Sequence, residues 1–86
     1  MRAVITIMIT ARQIRAARTL LGWTQQELAD NAVVSLNAVA RLEAGKVDSR
    51  ISTVSAVQRA LEQGGVLFLS ANQELGEGVR LRRPGS

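Results

Sequence analysis

The sequence predicts a mainly α fold: four to five short helices, with an N-terminal strand and a C-terminal β-hairpin. Three observations predict it. Two capping boxes, Thr10-x-x-Gln13 and Thr24-x-x-Glu27, each open a run whose apolar residues recur at helical spacing. Glycines at 22, 45, 64 and 65 close such runs in the usual C-terminal position. Only the two ends of the chain read as extended, with VITIMI at 4–9 and VLFLS at 66–70.

Taken in order, residues 4–9 are β-branched and continuous and favour a strand. Thr10 and Gln13 then start a first helix over 11–21. Ile14, Ala17, Leu20 and Leu21 fall on its inner side, and Arg12, Arg15 and Arg18 on another. Gly22 ends it. Thr24 and Glu27 start a second helix over 25–32, with Leu28, Ala29 and Ala32 inward. Val33 and Val34 make the turn. Ser35 caps a third helix over 36–44, where Val39 and Leu42 supply the buried face and Gly45 stops it. Residues 46–51 read as a polar connector. Ser52 caps a fourth helix over 53–63, with Val54, Val57 and Leu61 inward and Gly64-Gly65 after it.

The remainder alternates differently. VLFLS and VRLR, residues 66–70 and 79–82, read as two strands around a polar, glycine-bearing connector. A lone hairpin is marginal in water, so it must pack on the helices, pair with VITIMI, or pair with a second subunit. The expected division is an arm at 1–10, a helical domain at 11–63, a hairpin serving dimerisation at 64–83 and a loose tail at 84–86. No internal repeat is present.

Composition narrows the function. An 86-residue chain holds one small domain. Its only aromatics are Trp23 and Phe68, so Leu, Val, Ile and Ala must build the core. With no cysteine and no histidine, the commonest metal ligands and the commonest general base are missing. No carboxylates cluster and no glycine-rich phosphate loop occurs, so no catalytic residue, metal or cofactor is expected. Eleven basic against seven acidic residues give a net charge of +4, which suits an anionic partner such as nucleic acid. Arg80, Arg82 and Arg83 supply part of that charge, and a solubilising wet strand face is a simpler account of them than phosphate binding. The apolar start is too short to span a membrane and no small-residue cleavage site follows, so a cytoplasmic, soluble protein is expected.

The two helices at 25–32 and 36–44, joined by a tight turn, have the layout of a helix-turn-helix. The run RTLLGWTQQELADNAVVSLNAVARLEAGK, residues 18–46, resembles the Cro and phage-repressor type of helix-turn-helix, the XRE family. The resemblance covers roughly residues 11–63, and the tail GVLFL…GVRLRRP resembles an extension in small bacterial members. It rests on an ordered set: Arg18 four residues before Gly22, then TQQELA, then Val39 and Leu42 ahead of LEAGK. One position departs from it. Val33 stands where the turn usually has glycine, and the turn is either reshaped or strained.

The resemblance implies a sequence-specific DNA-binding transcriptional regulator, a repressor that binds a two-fold operator as a homodimer through segments 4–9 and 66–70. By position it implies base contacts from Leu36, Asn37, Ala40 and Arg41, and phosphate contacts from Gln25, Ser35, Lys46 and Arg50, with Arg12 as a further candidate. It also implies structural roles for Ala29, Val39 and Leu42 and an ion pair between Arg18 and Glu43. The chemistry fits: Arg41 can pair with guanine, Asn37 with adenine, and Leu36 can meet a thymine methyl. Other readings stay open, since Leu36 equally suits a protein contact and Arg41, Lys46 and Arg50 suit a solvated surface. The alternative function is a protein-binding module on the same scaffold, an antitoxin or antiactivator that sequesters a partner.

Overall fold

Local chain chemistry sets where each helix begins. Thr10 Oγ1 accepts the Gln13 N–H while Gln13 Oε1 accepts the Thr10 N–H, and Thr24 and Glu27 repeat the exchange. Ser35 Oγ accepts the Ala38 N–H. The computed structural model describes residues 9–46 and 50–83. Among these, α1 (Ala11–Leu21), α2 (Gln25–Ala32), α3 (Leu36–Glu43) and α4 (Ile51–Gln63) precede a two-stranded antiparallel sheet of β1 (Val66–Leu69) and β2 (Gly78–Leu81). The mainly α architecture with a C-terminal hairpin is thus as the sequence predicts. The expected strand at 4–9 lies outside the described residues except for Ile9, as does the tail at 84–86.

The first three helices end in the same way. In each, the last-turn carbonyls accept N–H groups from a residue in the left-handed region and from its successor: Gly22 and Trp23, Val33 and Val34, Gly45 and Lys46. Glycine meets this demand without strain at 22 and 45. Val33 meets it at φ 58° and ψ 49°, so the turn keeps its shape and carries the strain. The left-handed region costs a β-branched residue about 1–2 kcal/mol. The Val33 side chain is 88% exposed and packs against little in return. Val33→Gly is therefore expected to raise stability by about 0.5–1 kcal/mol after the added unfolded-state entropy is subtracted. A thermal melt of the two proteins measures it as an upward shift of a few degrees.

Two helix boundaries and one core position differ from the sequence reading. Helix α4 begins at Ile51 with Arg50 as its N-cap and no side-chain capping bond, so Ser52 lies inside the first turn and Ile51 is helix, not connector. Helix α3 ends at Glu43, with Ala44 as its C-cap. Leu20 is not core: it is 44% exposed. The buried stripe of α1 is Gln13, Ile14 and Ala17, with Leu21 half-buried beyond them, which places Leu20 off the stripe.

The core joins all four helices and β1 through Ile14, Leu28, Val39, Val57, Leu61 and Val66. Ile9 is buried with them. The C-terminus of α4 approaches α1 closely at Gly64, where any side chain would force its neighbours to shift. A Cβ on Gly64 would stand 2.9 Å from Leu21 Cδ1 and 3.0 Å from the Trp23 ring. In the hairpin Val66 faces Leu81, Leu67 faces Arg80, Phe68 faces Val79 and Leu69 faces Gly78. Val66, Phe68 and Val79 turn toward the helices, while Leu67 and Leu69 remain partly exposed on the other side. Gln13 bolts the hairpin to α1: buried itself, it donates through Nε2 to Leu69 O at 3.1 Å and Gly78 O at 3.0 Å.

Candidate nucleic-acid interface

An eight-residue helix has little stability of its own, so α3 holds its place by what it buries. Val39 and Leu42 enter the core, and Ala29 of α2, wholly buried, lets the two helices approach. Leu36, Asn37, Ala40 and Arg41 recur at i, i+1, i+4 and i+5 and share the side away from Val39 and Leu42. Leu36 and Asn37 are exposed; Ala40 and Arg41 are half-buried. The structure thus brings the four expected base readers onto one outward face. Ser35 is exposed at the start of that face, and Lys46 is exposed just past its end. Arg50 is exposed at the start of α4.

The orientation of this face is fixed by a polar cluster at Glu43. Arg18 Nε donates to Glu43 Oε2 at 2.6 Å and Arg18 Nη2 to Oε1 at 3.0 Å, a bidentate pair. Gln25 Nε2 donates to the same Oε1 at 3.1 Å. Arg15 Nη1 donates to the Glu43 carbonyl oxygen, one of the acceptors a helix end leaves open. The Glu43 side chain is 4% exposed and that of Arg18 21%. Burial alone would raise the Glu43 carboxyl. The hydrogen bonds from Arg18 and Gln25 and the charges of Arg18 and Arg15 outweigh it and hold the carboxyl below its ordinary value of 4.5. The hydrogen bond with Glu43 in turn raises Arg18, so both groups stay charged.

Two expected phosphate ligands are engaged elsewhere. Gln25 lies at the first position of α2, but its amide is committed to Glu43. Arg12 pairs with Glu77 at 2.7 Å, and the Thr10 hydroxyl donates to the same carboxylate. The Glu77 carboxyl is held low by its own backbone amide first, then by Arg12 and Thr10. Sequence reasoning missed three contributors. Arg15 read as surface, Gln13 as a capping residue only, and Glu77 as part of a connector. For each, the second partner lies 28 or more residues away and leaves no local signal.

Among the described residues no group of His, Cys, Asp or Glu is arranged to hold a metal ion, and no helix is long and apolar enough to cross a membrane. The helix-turn-helix family model matches residues 14–64, more than half of the chain. The chain belongs to the helix-turn-helix family. That family, of the Cro and phage-repressor type, consists of DNA-binding transcription regulators. No curated protein matches this helix-turn-helix chain. The matched span runs from Ile14 to Gly64, and so takes in the Glu43 cluster and the close contact at Gly64 but stops short of the hairpin.

Proposed function

We propose that the protein is a sequence-specific transcriptional regulator, a repressor, that reads a two-fold operator as a homodimer. The observation that carries the reading is the outward face of α3, with Asn37 and Arg41 held off the core by the Glu43 cluster. Arg41 pairs with guanine and Asn37 with adenine in the major groove, Leu36 meets a thymine methyl, and Ala40 lets the helix sit close. Ser35, Lys46 and Arg50 meet phosphates around that face, as does the Gln25 end of α2 through its backbone N–H groups. A single module makes few base contacts, so two linked copies supply the affinity. The 66–70 strand supports the dimer with the partly exposed Leu67 and Leu69. Of segment 4–9, Ile9 is buried in its own core and the rest lies outside the described residues.

The test is binding to the protein's own upstream DNA at two salt concentrations. Lys46 and Arg50 from two copies give four phosphate cations and a slope of about −3.6 in log affinity against log salt. Affinity should fall about a hundredfold between roughly 50 and 200 mM salt. Arg41→Ala should cost about 1–3 kcal/mol and relax specificity at one base pair, while Lys46→Ala weakens all sequences alike. If Arg41→Ala leaves operator affinity unchanged, the docking is wrong.

A second reading, an antitoxin or antiactivator that sequesters a protein, has one observation in its favour. Val33 and Leu36 are both exposed within the helix-turn-helix itself, and Ile51 is 71% exposed at the start of α4. On that reading Leu36→Ala abolishes partner binding and DNA affinity is low at every salt concentration.

A further inference from the structure

The side of α1 turned away from the core is itself patterned. Arg12, Arg15, Ala16, Thr19 and Leu20 recur at helical spacing and form one stripe, opposite the buried Gln13, Ile14 and Ala17. All five are exposed, and Leu20 is an apolar side chain that the core leaves 44% open to solvent. Val79 of β2 lies alongside and completes an open groove of about 560 Å³.

The groove is charged at one end only. Both arginines stand in the first half of α1 and Leu20 in its last turn. Between them the Thr19 hydroxyl is spent on the Arg15 carbonyl at 2.9 Å. Arg12 donates to Glu77 Oε2 and Arg15 to the Glu43 carbonyl, each through one terminal nitrogen. A guanidinium has five N–H groups, so both keep donors for a further acceptor. No described carboxylate lines the groove, since Glu77 lines the adjoining cleft of about 300 Å³.

We propose that this groove binds a medium-length aliphatic carboxylate, its head on Arg12 and Arg15 and its tail along Ala16, Leu20 and Val79. Charge selects the head, because paired guanidinia favour a planar carboxylate. The single apolar end selects one tail, and α1 rises about 12 Å from Arg12 to Leu20 to hold it. Size selects a small molecule. The volume falls within the roughly 300–1,000 Å³ of ligand sites, whereas a stable protein interface takes about 20–30 residues a side. A second copy docked here would also bring like charges together. Occupancy reaches α3, because the Arg15 guanidinium that meets the ligand also holds the Glu43 carbonyl. A carboxylate is the stronger acceptor, so the ligand draws Arg15 off the end of α3. On the DNA-binding reading, on which this last consequence alone rests, the ligand lowers operator affinity.

The test titrates the full chain, without DNA, with hexanoate, octanoate and decanoate, and follows the backbone amides by NMR. Saturable binding of decanoate at or below about 1 mM is expected. Affinity should rise along the series by up to about fourfold for each added methylene. The Ala16 and Val79 resonances should move, and that of Ala44, which shares a peptide unit with the Glu43 carbonyl, should follow the same isotherm. Decanol should bind about tenfold or more weakly than decanoate. Arg15→Ala should weaken decanoate about tenfold, as should Arg12→Ala, which leaves the Glu43 carbonyl bond in place. Leu20→Ser should flatten the dependence on chain length. Arg80→Ala removes an equal charge from an exposed position on β2 outside the groove and should leave binding unchanged. Absence of saturation, decanol binding as tightly as decanoate, or equal losses from Arg15→Ala and Arg80→Ala would overturn the site. A fixed Ala44 resonance would overturn its link to α3. Failure to bind upstream DNA counts against the DNA-binding reading alone, since no arm of the titration uses DNA.

Discussion

Arg18→Ala is expected to destabilise the protein by about 3 kcal/mol, because it leaves a buried carboxylate without its partner. At about 4–8 °C per kcal/mol for a chain of this size, the melting temperature falls by more than about 10 °C. The Arg18–Glu43 pair is not a surface ion pair of the kind that contributes little, since Glu43 is 4% exposed and both carboxylate oxygens are bonded. Arg18 also donates to the Trp23 carbonyl at 3.0 Å, so the single tryptophan reports the loss by fluorescence. The effect depends on pH with a definite sign. The Glu43 carboxyl is lowered in the folded state, so its contribution is complete above its ordinary value near 4.5 and is lost as pH falls through the lowered one. The difference between wild type and Arg18→Ala should therefore be largest near neutrality and shrink in acid. A difference that is constant from pH 7 to pH 3 would mean that the loss is packing, not charge.

Gln13→Glu carries the second large effect, and its sign opposes local expectation. Glutamate is a favoured third residue of a capping box and suits the first turn of a helix. A view limited to α1 predicts a neutral or stabilising change. In the structure the Gln13 amide nitrogen serves two carbonyls, Leu69 O and Gly78 O. A carboxylate there removes both donors and sets a negative oxygen against two acceptors. The expected cost is about 2–4 kcal/mol at neutral pH. Protonation restores a donor, so stability should recover in part below the variant's raised carboxyl value. Melts at neutral and acid pH check both statements, with Gln13→Ala as the reference for simple loss of the donor. A Gln13→Glu protein as stable as wild type would show that the hairpin does not depend on this bolt.

The first three helices were legible because their signals are local. A capping box or a serine cap and a left-handed stop lie within four residues of the atoms they satisfy, at Thr10, Thr24, Ser35, Gly22 and Gly45. Even Val33 announced itself, since the motif demands a positive φ whatever residue stands there. The start of α4 misled because Ser52 has the chemistry of a cap while the chain begins the helix two residues earlier, without one. Leu20 misled because helical spacing defines a broad apolar side, and tertiary packing chooses which half of it is buried. The outward face of α3 followed from spacing alone, whereas the groups that hold it in place did not. Arg15, Arg18 and Gln25 converge on Glu43 from two other helices, and only the Arg18–Glu43 pair came with the family resemblance.

That convergence makes α3 a lever pinned near one end. Among the described residues, polar restraints from α1 and α2 gather at Glu43, its final residue, while Leu36 at the other end is 44% exposed. At 1.5 Å per residue, Leu36 stands about 10 Å from the pivot and Arg41 about 3 Å. A tilt of about 5° then displaces Leu36 by about 0.9 Å and Arg41 by about 0.3 Å. On the proposed docking, the base pair opposite Arg41 is read by the stillest part of the helix. Tolerance for substitution in the operator should widen steadily toward the base pair that Leu36 meets.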